Sequence, residues 1–264
     1  MIEPDVITEI SESEGISWTV IEKDYFLTLL LEGISQNSPA KRMFIFKGGT
    51  ALRKAYIPNY RYSEDLDFTL GKTLASDEIR NSIESALDYL KNEHNAEFRI
   101  KDYNSKSHFT DVKVQFVGLK GSRNIITFDL SPKEVVVDEP QERTISNPYY
   151  GKRFSLLTYT LEEIVAEKLR SMLQRTRVRD YYDVWYLLSK KKNGLDLGKI
   201  RKIFLKKVEY KEIPFSGKEQ LLDKGRLEQV KAYYSSQLAH QINGLPEFGK
   251  MSKELEHEIN ALDI

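Results

Sequence analysis

The stretch FIFKGGTALRKAYIPNYRYSEDLDFTL, Phe44 to Leu70, decides how this chain is read. An apolar triplet, Phe44-Ile45-Phe46, runs into the turn Lys47-Gly48-Gly49-Thr50, and TALRKAY after it predicts a short helix. DLDFTL then reads as a strand. Side chains two apart on a strand point the same way, so Asp65 and Asp67 share one sheet face and Leu66 and Phe68 the other. Two carboxylates this close repel and are costly unless a cation lies between them. A divalent ion with hard oxygen ligands resolves the conflict, and magnesium is the usual choice alongside phosphates. The glycine turn complements that ion. Gly48 and Gly49 leave the backbone open to a ligand, and the helix starting at Thr50 offers its first N–H groups to an anion. One element grips phosphates while the other holds the metal that neutralises them. Alone, a Gly-Gly turn is usually structural and an Asp-x-Asp is often a solvated face; their joint occurrence at this spacing is what is specific.

A third carboxylate would complete a metal site, and Asp129 is the candidate. In IITFDL, Ile126, Phe128 and Leu130 share a face and leave Asp129 with Ile125 and Thr127. The competing reading is an edge-strand acid that blocks aggregation. Asp111 and Asp102 in neighbouring strands rank below it.

With 264 residues the chain has room for one large domain or two small ones. Lys plus Arg balances Asp plus Glu at 40 each, so no generic attraction to nucleic acid is expected from the whole molecule, although a local basic patch can still bind RNA. The absence of cysteine excludes disulfides, thiolate metal sites and cysteine nucleophiles. No apolar run is long enough to span a bilayer. The acidic opening MIEPDVITEISESEGISW does not read as a secretory signal, which makes the cytoplasm the expected location.

ISWTVIEKDYFLTLLLEGI predicts a helix with Ser17 as N-cap, and SDEIRNSIESALDYLKNE predicts an amphipathic one. RMFIF, 42–46, reads as a short buried strand. EFRIKDY, DVKVQFVG and NIITFDLS read as three strands, the last two joined by the glycine-rich GLKGSRN into a meander. DEPQERTISNPYYGKRF reads as a polar connection, and the chain after it as mainly helical. The fold class expected is therefore α/β (α+β): a mixed sheet flanked by helices over residues 1–150, then a mainly helical region over 151–264 that completes the site.

Gly-Gly, then Asp-x-Asp, then an acid on a separate strand is the pattern of the polymerase-beta-like nucleotidyltransferases. FKGGTALRKAY with YRYSEDLDFTL resembles more narrowly the AbiEii/AbiGii-type nucleotidyltransferase toxins of toxin–antitoxin and abortive-infection systems. EKDYFLTLLL (Glu22 to Leu31) and EKLRSML with RDYYDVWYLL (Glu167 to Leu188) look like that family too, so the resemblance covers about residues 15–190. It implies transfer of a nucleoside monophosphate from an NTP to an RNA acceptor, with the tRNA 3′ end as the expected one, and a cognate antitoxin. In that mechanism Asp65, Asp67 and Asp129 hold two magnesium ions, one activating the acceptor hydroxyl and one stabilising the pyrophosphate, while Gly48, Gly49 and Thr50 bind phosphates.

Further residues enter with the family. Thr160 to Glu163 fits a capping box, and Lys168 falls within the apolar stripe of the helix it opens. A lysine there either snorkels or finds an anionic partner; the resemblance implies the triphosphate. Asp183 is the counterpart of a required acidic position, orienting Lys168 or the acceptor, or else forming a structural salt bridge with that lysine. Asp180 is a helix-start residue or arginine partner. Ser63 shares the face of the aspartates, and the family often has Ser or Thr here near the phosphates; the other reading is a strand-start cap. Arg170, Arg175, Arg177 and Arg179 give a basic run for RNA, and Tyr149, Tyr150, Tyr181 and Tyr182 are candidates for base stacking. The competing classes are a module that binds nucleotide or antitoxin without turnover, and an NTP-dependent kinase or small-molecule nucleotidyltransferase.

Overall fold

The computed structural model describes residues 1–72, 74–106 and 109–264. In chain order its elements are α1 (Pro4–Glu14), α2 (Trp18–Gln36), α3 (Ser38–Met43), β1 (Phe44–Lys47), α4 (Gly48–Ala51) continued by a π turn over Leu52–Tyr56, β2 (Asp65–Leu70), α5 (Ser76–His94), β3 (Phe98–Lys106), β4 (Phe109–Val117), β5 (Arg123–Ser131), β6 (Gln141–Thr144), β7 (Ser155–Thr158), α6 (Leu161–Gln174), α7 (Val178–Lys190), α8 (Leu197–Tyr210), α9 (Lys224–Leu238) and α10 (Phe248–Ala261). The chain forms two compact units, Met1–Glu134 with Pro140–Tyr159, and Val135–Glu139 with Thr160–Ile264.

The first unit holds a seven-stranded mixed sheet in the order β3-β4-β5-β2-β1-β7-β6. Strand β2 lies between β1, antiparallel, and β5, parallel. The meander expected from β3 to β5 is present. Arg42 and Met43 belong to α3 rather than to a strand, because Pro39 at the helix start and the Asn37 side chain accepting from Ala40 N–H favour a helical turn up to Phe44. Two strands fall where the sequence predicted none. Gln141–Thr144 lies inside the polar connection, and Ser155–Thr158 opens the region read as helical. The β6 strand has no apolar alternation, and its structure comes from pairing with β7, which itself joins β1.

Alternation along β2 and β5 sorts the sheet into two faces. Leu66, Phe68, Ile126, Phe128 and Leu130 are buried with Val112, Val114 and Phe116 of β4. Phe116 stacks on Phe26 of α2 at 4.2 Å between ring centroids, and Phe68 contacts Phe44, Phe46 and Phe128. Helix α2 is buried around most of its circumference, and its acids survive there because each is met by a donor. Glu22 accepts from the Leu119 N–H at 2.7 Å. Asp24 meets Lys54 Nζ at 2.5 Å and the Tyr149 hydroxyl at 2.6 Å. Glu32 gathers Tyr150, Tyr89, Lys152 and His94 at 2.7, 2.8, 2.9 and 3.1 Å. Ser17 occupies the N-cap position of α2 as expected, but its hydroxyl faces Thr19 Oγ1 instead of capping.

The second unit is built on helices α6 to α10 around a buried ion pair. Thr160 caps α6 by accepting from the Glu163 N–H. The Glu163 carboxylate does not return the bond as a capping box would. It accepts from the Val137 and Asp138 N–H groups at 3.1 and 3.0 Å and pairs with Lys207 Nζ at 2.8 Å. Lys207 also donates to the Val135 carbonyl at 2.8 Å, which ties segment 135–139 to α6 and α8. Arg226 donates to the Met172 and Leu173 carbonyls at the end of α6, satisfying groups that a helix terminus leaves open. Among the described residues no helix is long and apolar enough to cross a membrane.

Burial alone would raise the Glu32 carboxyl, but bonds from His94, Lys152, Tyr150 and Tyr89 lower it to about 2 from 4.5. A depressed carboxylate stabilises the fold above its unfolded value and loses that contribution as pH falls from about 4.5 to about 2. Glu32→Gln is therefore expected to cost on the order of 3 kcal/mol at neutral pH and to flatten the stability profile across that acid window, as read by urea titrations at several pH values.

Candidate active site

The sheet register assembles the acidic face. Residues directly opposed across neighbouring strands project to the same side, and Lys47, Asp67, Asp129 and Asp111 are opposed in sequence across β1, β2, β5 and β4. Asp65 begins the next row with Thr127, Lys113 and Asp102, where Lys113 pairs with Asp102 at 3.5 Å. Asp129 is thus the strand neighbour of Asp67, on an interior strand and exposed, while Asp65, Asp67 and Asp111 are half-buried. The edge-strand reading of Asp129 fails, since β5 is paired on both sides. Among the described residues no group of three or more acidic or histidine side chains is arranged to hold a metal ion. One or two protein carboxylates suffice for a divalent ion that completes its shell with waters and substrate phosphates.

The glycine turn sits against this face. Gly48 adopts φ 78°, the left-handed region. A Cβ added there would fall 2.2 Å from Asp67 Oδ2. At Gly49 it would fall 2.6 Å from Arg61 Nη2 and 3.2 Å from Ser63 Oγ. Both glycines are thus required by what approaches them: a carboxylate at the first, a guanidinium and a hydroxyl at the second. Thr50 is buried and donates its hydroxyl to the Asp65 carbonyl at 2.5 Å, so its side chain locks the turn to the start of β2 and leaves its backbone for a ligand. Lys47 is buried, and its Nζ reaches Ser131 Oγ at 3.4 Å, crossing over β2 on the acidic face.

Lys168, Asp180 and Asp183 come together within the second unit. Lys168 Nζ lies 2.6 Å from Asp183 Oδ2 and 3.2 Å from Asp180 Oδ1, and all three side chains are buried. Arg175 Nε meets the other Asp180 oxygen at 3.0 Å. Burial would raise the Asp180 carboxyl, but the Lys168 and Arg175 charges hold it below its usual value. Lys168 therefore does not snorkel. Asp180 combines the two roles expected of it, standing in the first turn of α7 and pairing with an arginine. The tyrosines proposed for base stacking are packing residues: Tyr149, Tyr181 and Tyr182 are buried and Tyr150 is half-buried, Tyr149 bonded to Asp24 and Tyr150 to Glu32. Arg170 is buried and donates to Gln174, Arg175 is paired, and Arg177 is exposed.

Sequence reasoning passed over Lys47 and Arg61. Both carried a signal: Lys47 ends a wholly apolar strand, and Arg61 precedes Ser63, Asp65 and Asp67 in steps of two.

A mixed sheet with a glycine turn against paired aspartates, followed by helices, is the fold of a nucleotidyltransferase toxin. The solved structure of MenT4, a nucleotidyltransferase toxin from Mycobacterium tuberculosis H37Rv, superposes with a TM-score of 0.73 at 14% sequence identity, covering 100% of this chain and 91% of that one. No curated protein matches the sequence. The family model described as nucleotidyl transferase AbiEii toxin, type IV toxin–antitoxin system, matches residues 29–257, and the chain belongs to that family. It is an NTP-dependent nucleotidyltransferase, and membership implies a cognate antitoxin.

The two requirements at Gly48 can be separated experimentally. Gly121 has nearly the same φ, 77°, with nothing near its missing Cβ. Gly121→Ala is expected to cost only the left-handed penalty of about 1–2 kcal/mol. Gly48→Ala should cost more, because Asp67 must also move. Chemical denaturation of both variants checks the difference.

Proposed function

We propose that the protein transfers a nucleoside monophosphate from an NTP to an RNA hydroxyl, the tRNA 3′ end, with magnesium as the metal, in the cytoplasm. The observation that carries the reading is the placement of Gly48 against the Asp67 carboxylate, with Asp129 beside Asp67 in register. That arrangement suits a metal-bound polyphosphate, whose anionic oxygens need the backbone while its cation needs the carboxylates. In the reaction the acceptor oxygen bonds to the α-phosphorus, the bond to the bridging oxygen of pyrophosphate breaks, and the acceptor proton passes to a base or to water. Asp65 and Asp67, with Asp129 adjoining, would hold the metal, which supplies charge neutralisation at the phosphates and activation of the acceptor hydroxyl. Gly48, Gly49 and the Thr50 backbone would bind phosphate oxygens, and Ser63 would donate its hydroxyl nearby. Lys168 is assigned to the triphosphate charge, with Asp183 and Asp180 fixing its ammonium through the bonds they already make.

Purified protein incubated with each labelled NTP, magnesium and total RNA tests the reaction. Asp65→Asn and Asp67→Asn are expected to remain folded and to lose transfer; full turnover in both would remove the metal assignment. Lys168→Met would take away the ammonium that Asp183 and Asp180 share and leave Asp180 with Arg175, so a loss of about 3–5 kcal/mol of stability is expected. Lys168→Arg keeps their counter-charge and is the informative variant. If the lysine acts on the phosphates, its transfer rate should fall about tenfold or more while its melting temperature changes little.

A further inference from the structure

Lys47 ends a strand whose four positions are all buried, and it is itself only 6% exposed. An ammonium taken out of water is costly unless anions lie near it. The sheet register supplies them. Lys47 on β1 stands opposite Asp67 on β2, Asp67 opposite Asp129 on β5, and Asp129 opposite Asp111 on β4. One cation and three carboxylates thus share a row and a face. The lysine side chain runs along that face. Its Nζ approaches Ser131 Oγ at 3.4 Å, and Ser131 stands two residues after Asp129 on the same side of β5. Reaching β5 from β1 carries the ammonium across β2, which lies between them. The Tyr159 ring centroid is 5.6 Å from Nζ, and the bond of 2.7 Å between its hydroxyl and Thr69 Oγ1 fixes the ring there. An aromatic face attracts a cation and keeps water from one side of it, which strengthens its interaction with nearby charges.

We propose that Lys47 is the resident counter-cation of the Asp67–Asp129 row and that it makes the site take its divalent metal together with the nucleotide instead of alone. The proposal rests on the reading of these carboxylates as a metal site and adds the residue that sets how the metal is taken. Two observations carry it: the register that places Lys47 in the acidic row, and the reach of its ammonium along the acidic face toward Ser131. A fixed positive charge there offsets the repulsion between the acids before a metal arrives. It also repels a bare divalent cation. A metal–NTP complex is net anionic, so the same charge attracts it. Lys47 acts through the carboxylates and the field at the site, as a positioning residue.

The test is Mn2+ affinity of the full chain, measured by electron paramagnetic resonance with and without an NTP analogue whose α- and β-phosphates are bridged by methylene. The proteins compared are the wild type, Lys47→Met and Lys47→Gln, each also melted without metal. Loss of the charge predicts Mn2+ binding about tenfold tighter in the absence of nucleotide. The factor by which the analogue improves Mn2+ binding should shrink at the same time. A merely structural lysine would lower the melting temperature with Mn2+ affinity unchanged or weakened, and that result overturns the proposal. So does a gain in affinity that survives when Asp67→Asn is added to Lys47→Met, because the charge would then act elsewhere. If Lys47→Met does not fold, Lys47→Gln decides, and wild-type Mn2+ affinity in that variant overturns the proposal. A wild type that binds Mn2+ neither alone nor with the analogue would instead sink the reading of the carboxylates as a metal site.

Discussion

Strand β2 is hydrogen-bonded on both sides, antiparallel to β1 and parallel to β5, and the other features of the site depend on that double pairing. The antiparallel register sets Lys47 beside Asp67, so the glycine turn that follows Lys47 is delivered to the carboxylate. The parallel register sets Asp129 on the other side of the same aspartate. A slip of β2 by one residue would turn Asp65 and Asp67 toward Phe46 and Phe128 and carry Leu66 and Phe68 to the other face of the sheet. Burial of Leu66 and Phe68 is thus what makes the acidic face well defined: apolar packing on one side fixes carboxylate positions on the other.

The rest of the molecule buries several charged side chains, and in each of the clusters below the charge organises a connection. Asp24 with Lys54 and Tyr149 joins α2 to the helical segment after the glycine turn. Glu32 joins α2 to α5 and to the Tyr150–Lys152 loop. Glu163 with Lys207 holds segment 135–139 in the second unit, and Lys168 with Asp180 and Asp183 joins α6 to α7. Such clusters add little net stability against well-packed apolar groups, but breaking one partner is costly because its counterpart stays buried. They therefore act as geometric constraints on the segments they join.

At the aspartate pair, the proposed chemistry and stability pull in opposite directions. Asp65 and Asp67 repel as neighbours on one face, and Asp129 adds a third carboxylate to the same side. Gly48 gives up side-chain packing and takes a left-handed backbone so that Asp67 can approach. A sequence chosen for folding alone would keep neither feature. This is the physical reason the pairing of glycine turn and Asp-x-Asp, rather than either motif alone, reads as a site.

The sequence by itself determined what depends on local period and local chemistry. The two-residue alternation of DLDFTL and IITFDL put the acids on one face and the aromatics on the other, and the stripes of α2, α5 and α6 were visible in the same way. The place of Lys168 in an apolar stripe left it to snorkel or to find an anionic partner, and Asp183 was named among the partners it has. Only the tertiary structure decided what depends on distant pairing. Strands β6 and β7 have four residues each and too little alternation to announce themselves; they exist because β1 has an edge for β7 to join. Which strand Asp129 stands beside is a matter of register between segments far apart in the chain, and no periodicity records it. The tyrosines at 149 and 150 looked available for a base but are held by Asp24 and Glu32 of α2. Lys47 and Arg61 were legible as charged residues, but their burial against the turn arises only when β1, the turn and the approach to β2 close on one another. A side chain's partner is set by the folding of remote segments, whereas the face it points to is set by its immediate neighbours.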